Sequence, residues 1–117
     1  MPVKRIQVGD RMCQAVIHNG TVTTAGQVAQ GAPGTSAKEQ TENILANIDK
    51  LLAEAGTDKS NALSATIWLA DMNDFAAMNE AWDAWVSPGN TPTRACVESK
   101  LAAPQFTVEI AIVAAID

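Results

Sequence analysis

The sequence predicts an α+β fold in which two helices cover one face of a sheet of about six strands. Strand-like and helix-like patterns follow one another in the order β-β-β-α-β-α-β-β. Both helices are amphipathic, and the last strand is apolar on both of its faces. Because two helices cover only one side, the other face of the sheet is left bare. We therefore expect this protein to oligomerise through its sheet.

Three strands are predicted in the first part of the sequence. Residues 3–8 form a short strand-like run, and residues 15–24 carry a hairpin signal. The hairpin is centred on Asn19-Gly20, a pair that accepts the positive φ angles of a type I′ turn. We place its two strands at 15–18 and 21–24.

An amphipathic helix follows a loop at residues 30–35. Ser36 and Glu39 match a capping box, in which the serine and the glutamate satisfy backbone groups at the start of a helix. Gly56 marks the end of the helix, since glycine readily adopts the left-handed conformation of a C-terminal cap. The apolar residues at helical spacing are Ile44, Leu45, Ile48, Leu51, Leu52 and Ala55.

A buried strand and a second helix come next. Residues 62–70 are largely apolar, and Asn73 or Asp74 caps a helix that runs to about Val86. Asn79 falls inside the apolar stripe of this helix, where an amide needs hydrogen-bond partners. It either bonds to the backbone or faces a ligand. The predicted stripe consists of Phe75, Met78, Trp82, Trp85 and Val86.

Two further strand-like runs, at 92–98 and 106–113, each carry a charge where a buried strand should carry none. The charges are Arg94 and Glu109. A carboxylate in such a strand needs a cationic partner or a chemical task. A hairpin between the two runs would place both charges on one sheet face, roughly 13 Å apart. The same register would set Glu98 opposite Glu109.

The chemistry of Arg94 allows two interpretations. Its guanidinium could form an ion pair at a subunit interface, or its planar fork could bind the carboxylate of a ligand through two hydrogen bonds. Cys96 lies two positions further along the same strand. Because no histidine or helix N-terminus is expected beside it, we interpret Cys96 as a small apolar side chain and not as a nucleophile.

Length and composition favour a single domain, residues 1–117, with 47% hydrophobic and 18% charged residues. The net charge is −5 and Lys and Arg together number only eight, so nucleic acid is an unlikely partner. Cys13, Cys96 and the single histidine, His18, match neither a disulfide framework nor a zinc motif. We expect reduced thiols and no metal.

Targeting signals are the last feature that the sequence addresses. The first residues lack the apolar segment of a signal peptide, and the longest apolar run, 110–116, is too short to span a bilayer. We therefore expect no membrane partner and a cytoplasmic location.

Four segments share the pattern of one known family. They are Thr91-Pro92-Thr93-Arg94-Ala95-Cys96-Val97-Glu98, Val108-Glu109-Ile110, Asn73-Asp74-Phe75 followed by Asn79, and Ala25-Gly26-Gln27. Together they resemble the RidA/YjgF family of reactive-intermediate deaminases, also called L-PSP proteins. The resemblance spans nearly the whole chain, and the run 73–85 further resembles the YoaB-like branch.

This resemblance implies a homotrimer with a chorismate-mutase-like fold, in which three six-stranded mixed sheets form a barrel and ligands bind between subunits. It implies that Arg94 binds the carboxylate of a 2-imino or 2-enamino acid, that the backbone beside Cys96 helps to hold it, and that Glu109 orients a water molecule. Asn79 and Gly26 match further pocket positions. Hydrolysis would yield a 2-keto acid and ammonia without metal or organic cofactor.

The sequence departs from the deaminase pattern at three positions. It contains no tyrosine, and Met12 and Trp82 stand near places where family members present pocket tyrosines. Ala25 stands where those members often carry serine. These substitutions remove hydroxyl groups that would hold a substrate amino group or a water. We keep Met12 and Trp82 as expected substrate-binding positions.

Two classes of function follow from these residues. The leading one is a 2-iminobutanoate/2-iminopropanoate-type deaminase that acts on small carboxylate-bearing substrates. The alternative is a non-catalytic trimer that binds keto acids or related metabolites. An endoribonuclease, which the resemblance also implies for some members, is disfavoured by the negative charge and by the single histidine.

Overall fold

The computed structural model describes residues 2–116 and contains one six-stranded sheet with two α-helices on one of its faces. The predicted fold class and element order are confirmed. The strands are β1 Lys4–Val8, β2 Cys13–His18, β3 Thr21–Thr24, β4 Ala62–Leu69, β5 Thr93–Glu98 and β6 Val108–Ala115, and the helices are α1 Ala37–Ala55 and α2 Phe75–Trp85.

The strand order across the sheet is β1-β2-β3-β6-β4-β5. Only β4 and β5 pair in parallel, because α2 carries the chain back from the end of β4 to the start of β5. All other neighbours are antiparallel, so the sheet is mixed. This topology leaves β1 and β5 as the two edges.

The predicted hairpin between the last two strands is wrong. The strand β6 lies between β3 and β4, and among the described strands β5 pairs with β4 alone. The most apolar strand of the sequence thus takes a central place, where it has a neighbour on each side. Glu98 is consequently not opposite Glu109, and its carboxylate instead accepts a hydrogen bond of 2.9 Å from the backbone N–H of Met72.

Local signals in the first part of the sequence are confirmed. Asn19 and Gly20 both have positive φ, at 51° and 76°, as the hairpin turn requires. The backbone N–H of Glu39 donates to Ser36 Oγ over 3.2 Å, which caps α1. Gly56 ends the helix with a φ of 89°.

The hydrophobic core lies between the helices and one face of the sheet. Alternate residues of β4 and β6 point into it, among them Ile67 and Ile110, which are fully buried. Between them, residues such as Trp68, Glu109 and Val113 point to the opposite face and stay only partly buried. The expectation of one bare sheet face is therefore met in the single chain.

The helix α2 departs from its predicted core stripe at one residue. Met78, Trp82 and Trp85 are buried, but Phe75 is 39% exposed. Phe75 is the first residue of α2 and lies beside β5, which has no outer neighbour strand. The hydrophobic core therefore does not extend to the first residue of α2.

Candidate functional site

Arg94 lies on the edge strand β5 and points to the helix face of the sheet. It is aligned with Ala65 of β4, which is buried in the core. The side chain reaches α2, where Nη1 donates a hydrogen bond of 2.6 Å to Oδ1 of Asn79. Asn79 is only partly buried and bonds to this guanidinium, not to the backbone. The alternative of a backbone-bonded amide is thereby ruled out.

Two aromatic rings flank the guanidinium of Arg94. Its Cζ lies 5.7 Å from the ring centroid of Phe75 and 5.4 Å from that of Trp82, within the range of a cation–π contact. Phe75, Asn79 and Trp82 are spaced by four and three residues, so they share one side of α2. This group, Arg94 with Asn79, Phe75 and Trp82, is called the arginine cluster below.

The arginine cluster has a cation but no anion. Within residues 2–116 the single salt bridge joins Lys38 and Glu80, on the outer faces of the helices. Arg94 is exposed, and within the described part of the chain its guanidinium meets only an amide and two ring faces. A guanidinium held in this way is free to pair with a carboxylate from outside the chain.

Cys96 points to the same face as Arg94 and is aligned with the buried Ile67 of β4. Burial raises the pKa of the Cys96 thiol, and the positive charge of Arg94 lowers it by a smaller amount. The thiol is therefore protonated at neutral pH. This agrees with the interpretation of Cys96 as a small packing residue and not as a nucleophile.

Glu109 and Gly26 form a second group on the other face of the sheet. Glu109 lies on β6 beside Trp68, and Gly26 follows β3 in a segment that bridges to Ile110. A Cβ atom at position 26 would overlap the carboxylate of Glu109. Only glycine allows the chain to approach this side chain so closely.

One chain does not bring these two groups together. Arg94 on β5 is aligned with Ala65 of β4, whereas Glu109 on β6 is aligned with Trp68, which follows Ala65 by three residues. The strand β4 lies between β5 and β6. Strand spacings put the two backbones about 14 Å apart. Arg94 and Glu109 also point to opposite faces, so the predicted shared face is wrong; it rested on the incorrect hairpin.

Met12 lies at the other edge of the sheet from Arg94. It is 49% exposed, between β1 and β2, and lines a cavity of about 540 Å³ together with Gly26. Arg94 and Glu109 are not part of that lining. Trp82 is only 5% exposed, so it contacts the guanidinium of Arg94 and offers little surface to a ligand.

Comparison with known proteins assigns the chain to a family. A family profile described as Endoribonuclease L-PSP matches residues 3–116. The solved structure of NMB1025 from Neisseria meningitidis, a member of the YjgF protein family, superposes with a TM-score of 0.96 at 46% identity, covering 100% of this chain and 97% of that one. The chain belongs to the RidA/YjgF (L-PSP) family.

Within this family the chain is similar to the YoaB-like branch. The RutC family protein YoaB of Escherichia coli K12 is 49% identical over 116 residues, covering 99% of this chain and all of the relative. A rat protein named 2-iminobutanoate/2-iminopropanoate deaminase is 33% identical over 107 residues, covering 86% of this chain and 77% of the relative. The RidA/YjgF family therefore includes imine deaminases.

Phe75 is the site residue that sequence reasoning missed in this family member. Its apolar character and helical spacing placed it in the core stripe. The available signal was its position four residues before Asn79 and seven before Trp82, which puts all three on one side of α2. The position of Arg94 above that side depends on the parallel pairing of β5, which local patterns do not reveal.

Neither a metal centre nor a membrane span is found in the part of the chain that the structure describes. Between residues 2 and 116 no three His, Cys, Asp or Glu side chains converge in a way that could hold a metal ion. Over the same range, neither helix is long and apolar enough to cross a bilayer.

Proposed function

We propose that this protein is a cytoplasmic, cofactor-independent deaminase that hydrolyses 2-imino or 2-enamino acids to 2-keto acids and ammonia. The observation that carries the proposal is the arginine cluster. It offers an exposed guanidinium that has an amide and two aromatic faces around it but no carboxylate among residues 2–116. Membership of a family that includes imine deaminases supports the same assignment.

Arg94 binds the substrate carboxylate in this proposal. One guanidinium nitrogen, Nη1, is occupied by Asn79, and the remaining N–H groups have no partner among the described residues. Two of these donors can meet the two oxygens of a carboxylate in a bidentate pair. In the same proposal the backbone next to Cys96, two residues along β5, helps to hold the rest of the bound acid.

A second copy of the chain supplies the other half of the site. Arg94 occupies the β5 edge, whereas Met12 occupies the opposite edge and Glu109 the opposite face. One substrate cannot reach both halves within a single chain. Identical copies that contact one another head to tail form a closed ring when the rotation between them closes. In the proposed ring of three, Glu109, Gly26 and Met12 of one copy lie beside Arg94 of the next.

The chemistry requires little beyond placement. A protonated imine carbon is already electrophilic, so fixing the carboxylate at Arg94 and a water at Glu109 supplies orientation and a proton acceptor. The water oxygen bonds to C2 as Glu109 receives its proton. Loss of ammonia from the resulting carbinolamine, with the proton returned to nitrogen, leaves the 2-keto acid.

A non-catalytic trimer that binds keto acids is the second candidate. The absence of any tyrosine favours it, because Met12 and the buried Trp82 cannot donate the hydrogen bonds of phenol groups. Arg94 serves both candidates equally well. Glu109 distinguishes them, since a binder has no need for a carboxylate that orients water.

Turnover of freshly generated imino acids tests the proposal. An amino-acid oxidase produces them in situ, and release of keto acid is followed with wild type, Arg94→Ala and Glu109→Gln. We expect Glu109→Gln to bind pyruvate like wild type and to lose at least about a hundredfold in rate. Lys38→Ala, which removes a cation from the outer helix surface, is the matched control for Arg94→Ala. Unchanged turnover in Glu109→Gln would favour the binding function.

A further inference from the structure

The cavity beside Met12 carries polar groups that the proposed deaminase reaction does not use. It lies on the helix side of the sheet, where Asn43, Asn47 and Lys50 of α1 line one wall at a spacing of four and three residues. The other wall comes from β1, β2 and residues 26–31. Among residues 2–116 no acidic side chain contributes to the lining, although the protein has a net charge of −5.

A chain of three carboxamides spans this cavity and is centred on Gln27. Gln27 is 5% exposed, and its Nε2 donates to the carbonyl oxygen of Ala25 over 3.1 Å and to Oε1 of Gln14 over 2.9 Å. Its Oε1 accepts a hydrogen bond of 2.7 Å from Nδ2 of Asn47. Every polar atom of the buried amide is therefore bonded.

The backbone carbonyl of Ala25 fixes the direction of the whole chain of amides. A carbonyl oxygen can only accept, so the nitrogen of Gln27 must face Ala25 and Gln14. Gln14 must then turn its oxygen inward, and Asn47 must turn its nitrogen inward. This leaves the Nε2 donor of Gln14 and the Oδ1 acceptor of Asn47, neither of which has a partner among residues 2–116.

The remaining groups define a ligand chemistry. One fixed donor and one fixed acceptor complement a ligand that offers both a carbonyl and an N–H, as a primary amide or a lactam does. Lys50 lies three residues after Asn47 on α1 and forms no salt bridge within residues 2–116, so it can pair with an anion. An imine offers no such carbonyl, which separates this ligand from the substrate of Arg94.

We propose that this cavity is a second binding site, specific for small ligands that combine a lactam or primary amide with a carboxylate. The amide bonds to Gln14 and Asn47, and the carboxylate pairs with Lys50. The cavity shares Met12 and Gly26 with the proposed cleft between copies. Its polar contacts are complete within one chain and require neither Arg94 nor Glu109.

Titration of the ¹⁵N-labelled protein with pyroglutamate, a lactam acid, tests this site. We expect saturable shifts of the side-chain amide signals of Gln14 and Asn47. Proline, which keeps the ring and the carboxylate but lacks the lactam carbonyl, should bind at least about tenfold more weakly. Equal shifts with proline, or no saturation with either compound, would overturn the proposal.

Two variants separate this site from the arginine cluster. Lys50→Met should weaken pyroglutamate binding at least about tenfold, because it removes the charge-assisted contact, while the control Lys59→Met leaves it unchanged. In Arg94→Ala, the shifts that pyroglutamate causes at the side-chain amides of Gln14 and Asn47 should saturate as in wild type. If Arg94→Ala lost pyroglutamate binding while Lys50→Met kept it, the carboxylate would bind at the arginine cluster. The second site would then be rejected, whether or not the deaminase proposal holds.

Discussion

Asn79 accepts a 2.6 Å hydrogen bond from the guanidinium of Arg94 and so links α2 to the edge strand β5. A long arginine side chain on a sheet edge would otherwise sample many rotamers. Holding it in one orientation reduces the entropy lost when a carboxylate binds. The amide is neutral, so it positions the guanidinium without neutralising it.

Asn79→Asp tests this arrangement. A carboxylate at position 79 would form a salt bridge with Arg94 and compete with the ligand, so we expect the affinity for pyruvate to fall at least about tenfold. Isothermal titration calorimetry measures the affinity, and circular dichroism checks that the fold is kept. Pyruvate binding as tight as that of wild type would mean that Asn79 does not control the guanidinium.

Phe75→Ala should weaken ligand binding with little effect on stability. Removing one cation–π contact from Arg94 is worth about 0.5–1 kcal/mol, which corresponds to a two- to fivefold loss of affinity. Met78→Ala is the matched comparison, because Met78 is fully buried and its truncation should lower the free energy of unfolding by about 2–5 kcal/mol. Urea denaturation measures both variants. A larger loss of stability in Phe75→Ala than in Met78→Ala would place Phe75 in the core after all.

Gly26→Ala should separate binding from turnover. The added methyl group overlaps the Glu109 carboxylate and must displace it, whereas the hydrogen bond that holds the Arg94 guanidinium to Asn79 is unchanged. We expect the rate of imino-acid hydrolysis to fall by about a hundredfold, as in Glu109→Gln, while Arg94 still binds pyruvate. Steady-state kinetics and calorimetry together give both quantities. Wild-type turnover would show that the position of this carboxylate is unimportant.

Alkylation of Cys96 reports the charge on Arg94. The pKa of this thiol is raised by burial and partly lowered by Arg94, so Arg94→Gln should raise it further and shift the reaction with iodoacetamide to higher pH. The rate is measured against pH in a Cys13→Ser background, so that only Cys96 reacts. A shift to lower pH would mean that access to the thiol, and not the charge, dominates.

The elements of the fold follow from local patterns, whereas the pairing of its strands does not. The Asn19-Gly20 turn and the capping box at Ser36 act within a few residues, and each forms as the sequence predicts. The pairing of β4 with β6 joins residues that are about 40–50 positions apart in the sequence, and the choice among such pairings depends on long-range burial.

The candidate site shows the same division. Resemblance to the family identified Arg94, Asn79 and Glu109 as site residues. The structure brings Arg94 and Asn79 into contact. That Arg94 and Glu109 point to opposite faces could not be derived, because it depends on which face of the sheet each strand presents. A slip of one residue in a strand reverses that face, so even correct strand boundaries would not have fixed it.

The most direct test of a site shared between subunits is a mixing experiment with two inactive variants. Arg94→Ala keeps an intact Glu109, and Glu109→Gln keeps an intact Arg94. When the two proteins are unfolded together and refolded at equal amounts, about one quarter of the clefts between neighbouring copies should hold both groups, and imino-acid hydrolysis should return to about a quarter of the wild-type rate. Activity no higher than that of either variant alone would contradict the shared site.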